Sequence, residues 1–182
     1  MTVLGGCVTR ATAITGVLTR LWHVPPGELT HIAVSDRAYV ASEMTAFLTA
    51  FLSDLPCAVL NRPSASGLSG PGWRREQWVR AAARVGIPVA PVQRIARHGE
   101  PAATAPVIAS EVTVVGELAF GADDPDLVRW SRELAATAGV DLLGAQFTRH
   151  GRGYAFAGVN PWPILSYPGA FDAVRELLMK RP

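Results

Sequence analysis

The chain has 182 residues, 49% of them apolar and 18% charged, which suffices for one domain or two small ones sharing a core and excludes disorder by composition. Its net charge of +2 is too small to suggest a nucleic-acid partner, and no apolar run approaches the roughly 20 residues that a membrane helix needs. The first 21 residues lack a basic head followed by an unbroken apolar run, so no secretory signal and a cytoplasmic location are expected. Cys7 and Cys57 form neither a disulfide framework nor a zinc motif, and two buried thiols in a reducing compartment are expected. All 17 basic residues except Lys180 are arginine, which stays protonated, so a mechanism built on a central lysine is nearly excluded.

In chain order, a strand is expected near Thr2–Val8 and a break at Pro25-Pro26-Gly27. Thr30–Ser35 reads as a short buried strand. Met44, Phe47, Leu48, Phe51 and Leu52 recur at helical spacing, which predicts an amphipathic helix over Tyr39–Ser53, stopped by Pro56. Cys57–Leu60 follows as a strand, then a Ser/Gly loop over Ser64–Gly72 and a helix over Trp73–Val85 with Gly86 as its C-cap. Ile87–Pro91 is extended, and residues 93–106 are polar and broken by Gly99, Pro101 and Pro106. Val107–Phe120 reads as two strands, or one bent one, around Val112–Val115 and Leu118–Phe120. Asp124 and Pro125 start a helix that runs to Ala138 and stops at Gly139. Strands near Leu142–Arg149 and Tyr154–Val159 flank a hairpin turn at His150-Gly151-Arg152-Gly153. A proline-rich loop and a last amphipathic helix, Phe171–Met179, complete the chain. The expected class is α/β (α+β): an N-terminal β-α-β piece, residues 1–66, then a mixed or antiparallel sheet with helices on one face, residues 67–182, as one compact unit.

Asp141-Leu-Leu-Gly-Ala-Gln-Phe, followed by Tyr154-Ala-Phe-Ala-Gly-Val-Asn160-Pro161-Trp-Pro163, resembles the end of an ATP-grasp ligase of the RimK-like kind. Glu111-Val-Thr-Val-Val-Gly116 is similar to that family's R-V-x-V-V-G strand. Asp36-Arg37-Ala-Tyr39, Glu43, Asn61-Arg62-Pro63, the helix from Trp73 and Val85-Gly-Ile-Pro-Val-Ala-Pro91 resemble the domain before the grasp and its entry helix. The pieces cover most of the chain in the family's order, and they imply a shortened ATP-grasp scaffold.

The departures carry the functional argument. The family holds two magnesium ions on an Asp, an Glu and an Asn, since hard divalent cations need several oxygen ligands, most of them anionic. By the resemblance the Asp position falls on Gln146 and the Glu position on Gly158, and only Asn160 remains. Residues 92–110 hold no lysine where relatives carry phosphate-contacting ones, and the phosphate-facing arginine becomes Glu111, whose carboxylate would repel a triphosphate. Neither productive ATP binding, nor a metal, nor any other cofactor is therefore expected.

Alternation places Gln146 and Thr148 on one face of their strand, and Tyr154, Phe156, Gly158 and Asn160 on one face of the next. With Glu111 and Thr113 beside them, a cleft with aromatic walls is expected, suited to a small organic ligand. Glu111 is then either a general base or a solvated carboxylate at a strand end. Gln146, Asn160 and Tyr39 are the candidate donors; Tyr39 otherwise only packs. Arg37 would meet a substrate anion or form a turn ion pair with Asp36, and Tyr154, Phe156 and Trp162 would contact substrate. His23 and His150 read as loop or exposed residues, and His31 and His98 receive no role. Gly67–Gly72 lacks the ending of a phosphate loop and reads as a flexible linker. Trp73, Trp78 and the arginines between 74 and 84 read as a helix with a core tryptophan and solvated charges, not as a nucleic-acid face.

Two functions follow. The first is a small enzyme working without ATP or metal on a bulky polyketide- or peptide-like substrate: dehydration, isomerisation, conjugate addition or cyclisation in secondary-metabolite tailoring. The second is a non-catalytic ligand- or partner-binding module. A homo-oligomer that supplies missing walls is a third option.

Overall fold

A computed structural model describes residues 2–4, 7–90 and 106–180; of residues 2–4 and 7–9 only the backbone is described. His98 and nearly all of the expected polar segment over 93–106 lie outside the described residues. Contacts group the chain into two compact units, Met1–Gly72 with Phe171–Pro182, and Trp73–Ala170.

In the first unit, β1 (Thr2–Leu4) and β2 (Cys7–Thr9) pair antiparallel, so the single strand expected near Thr2–Val8 is a hairpin. β3 (Gly16–Leu18) and β4 (Ala58–Leu60) pair parallel across α1 (Arg37–Asp54), a β-α-β unit. Its first strand is β3 and not Thr30–Ser35, which is a series of turns. There the amides of Ile32 and Asp36 bond back to Leu29 and Ala33, while the Arg37 guanidinium takes the carbonyls of Ile32 (2.9 Å) and Thr30 (3.2 Å). Those groups are spent locally, Val34 is 79% exposed, and no ladder forms.

α1 is not amphipathic in the expected sense. Only Ala41 and Leu52 are buried along it, while Tyr39, Met44 and Phe47 face solvent. Its end is held by Arg62, whose guanidinium donates to the carbonyls of Ser53 (3.2 Å) and Cys57 (2.9 Å). Cys57 is buried and free. The Ser/Gly loop is packed and not a flexible linker: Leu68 and Ser69 are buried, the Ser69 hydroxyl donates to the carbonyls of Thr19 and Leu21, and Gly67 lies under the Trp22 ring where a Cβ would sit 3.0 Å from it. The last helix, α4 (Ala170–Met179), begins at the join of the two units.

The second unit is a four-stranded antiparallel sheet in the order β6-β5-β7-β8, built from β5 (Ser110–Val115), β6 (Leu118–Phe120), β7 (Leu142–His150) and β8 (Gly153–Asn160). α2 (Arg75–Arg84) and α3 (Pro125–Ala138) cover one face. There Val112, Val114, Leu143, Ala145 and Phe147 pack with Leu127, Leu134 and Ala135 of α3 and with Trp78, Ala81 and Ala82 of α2. The ends of α3 follow from its sequence. The Asp124 carboxylate accepts from the Asp126 amide at 3.0 Å, Pro125 fills the first turn, and Gly139 closes the helix at φ +65°.

Candidate functional site

Strand pairing builds the site on the sheet face opposite the helices. Glu111 of β5 sits directly across from Gln146 of β7, Gln146 across from Gly158 of β8, and Gly144 across from Asn160. Side chains at 111, 144, 146, 158 and 160 therefore share one face. The Gln146 amide nitrogen donates to Glu111 Oε2 at 2.8 Å and the Asn160 amide nitrogen to Glu111 Oε1 at 3.2 Å. The carboxylate is partly buried and lies over Gly144, where a Cβ would come within 2.8 Å of Oε1.

The segment after β8 turns back over this face. Asn160 Oδ1 accepts the Trp162 amide at 3.0 Å, which fixes the orientation of the Asn160 side chain. Buried Pro163 packs beside Gly144, and the buried Thr113 hydroxyl donates to the Ile164 carbonyl at 3.0 Å. Tyr167, to which the sequence reading gives no role, closes the strap: its ring occupies the place of the side chain that Gly121 lacks, beside the Glu111 backbone. The proline spacing marked this loop as rigid; nothing local marked the tyrosine as its closing contact.

Three expected residues thus come together: Glu111, Gln146 and Asn160. Trp162 is adjacent through its backbone, and the residue is 36% exposed. Tyr154 and Phe156 do not join them. The pairing steps from Gln146–Gly158 to Phe147–Phe156, so Ala157 is an extra residue, a β-bulge. The alternation changes phase there, and Phe156 enters the helix-side core with Tyr154 packed against it. The Tyr154 ring carries the Arg149 guanidinium 4.4 Å from its centroid. Tyr39 and Arg37 belong to α1 in the other unit. Tyr39 is 69% exposed, and Arg37 is engaged with loop carbonyls and not with Asp36. His31 is exposed in a turn, not in a buried strand, and His23 and His150 are exposed. Trp78 is in the core, against Trp73 with centroids 4.7 Å apart.

No known protein family matches the chain, and no curated protein sequence does. Similar solved structures include two macrocyclases. Macrocyclase MdnB from Microcystis aeruginosa MRC shares 20% identity over 57% of this chain and 54% of its own, with a TM-score of 0.46, so the match spans about half of that protein. Macrocyclase MdnC of the same organism, bound with precursor peptide MdnA, shares 13% identity over 83% of this chain and 73% of its own, with a TM-score of 0.58. The fold is ATP-grasp-like.

An ATP-grasp-like fold raises the question of paired magnesium ions, and the donor set here does not fit them. The site offers one carboxylate and two amides, both amide nitrogens point at that carboxylate, and the Asn160 oxygen already accepts a backbone N–H. Among the described residues no three His, Cys, Asp or Glu side chains gather. What the arrangement can do is hold one carboxylate in a fixed pose, with one N–H of each amide still available.

Proposed function

We propose that the chain is a degenerate, shortened relative of RimK-like ATP-grasp ligases, with residues 1–66 and 67–182 corresponding to the pre-grasp and grasp parts. It works without ATP or metal, by proton transfer on a peptide-like or polyketide-like substrate in natural-product biosynthesis. The single observation that supports this is the Glu111 carboxylate held by Gln146 and Asn160 where the resemblance puts the cation site. The peptide class of substrate is supported by the fold's likeness to MdnC, whose structure contains a precursor peptide. Absence of any helix long and apolar enough to cross a membrane among the described residues is compatible with the cytoplasmic location we propose.

In this reading Glu111 takes a proton from an acidic carbon of the substrate. The free N–H groups of Gln146 and Asn160 then donate to the oxygen on which charge develops. The proton returns from Glu111 to complete dehydration, conjugate addition or ring closure. Arg37 and Tyr39 leave the mechanism, because the first is committed to Thr30 and Ile32 and the second faces solvent. The test is deuterium incorporation into a panel of β-ketoacyl peptides and β-keto thioesters in D2O, read by mass spectrometry. Exchange should fall roughly 100-fold or more in Glu111→Gln. Exchange unchanged in Glu111→Gln combined with Gln146→Ala overturns the reading, and a rise in melting temperature with magnesium and ATP overturns its metal-free part.

The exposed apolar side chains of α1 favour a second reading, a binding module. Tyr39, Met44 and Phe47 are exposed, and Phe47 stacks on Phe51 with centroids 6.2 Å apart. A homo-oligomer that covers this face belongs to the same reading. No exchange with any substrate, together with self-association, would favour it.

A further inference from the structure

We infer that the group the site receives at Glu111 is an organic cation, an ammonium in the simplest case. The inference rests on the proposed site and adds the charge of its ligand. Four carboxylates seen in ion pairs among the described residues are exposed: Asp126 and Glu133 with Arg129, Glu117 with Arg132, and Asp172 with Arg175, all within 3.5 Å. Glu111 is different. It is partly buried, yet among the described residues its side chain meets only the neutral amides of Gln146 and Asn160.

Nothing nearby on the sheet supplies the missing charge. Arg149, the arginine of β7, lies on the helix side of the sheet with Tyr154. The two amides take one lone-pair site on each oxygen and set the carboxylate's direction, so lone pairs remain for a ligand. A carboxylate withdrawn from water gains more from a cation than an exposed one does, because the attraction is less screened. A charge-assisted N–H···O bond from an ammonium matches this need, and a neutral hydroxyl of the same shape does not.

The experiment is an NMR titration of the intact 15N-labelled protein. The side-chain amide signals of Gln146 and Asn160 serve as reporters, since both groups touch the carboxylate. Added n-butylammonium should shift both signals with saturation, and n-butanol should bind at least tenfold more weakly. Glu111→Gln, checked for folding by its backbone spectrum, should abolish the preference for the cation. Equal affinities for the two probes overturn the inference, as does no saturable shift with n-butylammonium or a preference that survives in Glu111→Gln. The proton-transfer reading fails separately: saturable cation binding without deuterium exchange in any substrate leaves the cation site standing and removes the catalysis.

Discussion

Gly144 and Gly158 lie on the same face of neighbouring strands, but their surroundings differ. A Cβ at 144 would meet Glu111 Oε1 at 2.8 Å and the Cβ atoms of Asn160 and Pro163 at 3.1 Å; one at 158 would meet only Gln146 Oε1, at 3.4 Å. Gly144→Ala should therefore cost about 1–3 kcal/mol by overpacking. Gly158→Ala should stay within about 0.5 kcal/mol of the parent. Urea denaturation of the two variants measures both, and equal losses would contradict the packing described around Glu111. The space beside Gly158 is open, whereas Gly144 is a position the Glu111 carboxylate itself requires.

At the scale of elements, the bulge at Ala157 decides which side chains see the site. Phe156 is buried in the core of the second unit, so Phe156→Ala should destabilise by about 3–5 kcal/mol. A residue lining an open cleft would lose far less, and a calorimetric melting curve separates the two cases. This marks how much could be read from the sequence. Strand alternation with the correct strands sufficed to gather Glu111, Gln146 and Asn160, because β5 pairs regularly with β7 from Ser110–Phe147 to Val115–Leu142, and β7 with β8 from Gly144–Asn160 to Gln146–Gly158. The caps of α3, Asp124 with Pro125 and Gly139, were legible because a cap is a local event. Tyr154 and Phe156 were not, because the extra residue is defined only by the partner strand. Thr30–Ser35 reads as a short buried strand around Ile32-Ala33-Val34, and what cancels it is a guanidinium further along at Arg37. The three-residue β3 has too little pattern to announce itself; its partner β4 and the Leu178 contact against Gly16 define it.

At the scale of the whole molecule, exposed apolar side chains are spread over several elements, from Val34 and Leu118 to Phe171 and Met179, and α1 contributes its share. α1 exposes Tyr39 and Phe47, at 69% and 68%, so replacing both with serine should leave the melting temperature within about 4 °C of the parent. The same double variant should lower self-association in sedimentation velocity if this helix is the covered face of a homo-oligomer. An unchanged association constant would send the search for an interface elsewhere. The bulge in β8 also has a bearing on how such chains are compared with one another. A relative without the residue at Ala157, threaded onto this strand letter for letter, would turn its own core aromatics toward the cleft on paper, and any pocket inferred from that superposition would be lined by the wrong side chains. Positions 153–156 and 158–160 need separate rulers.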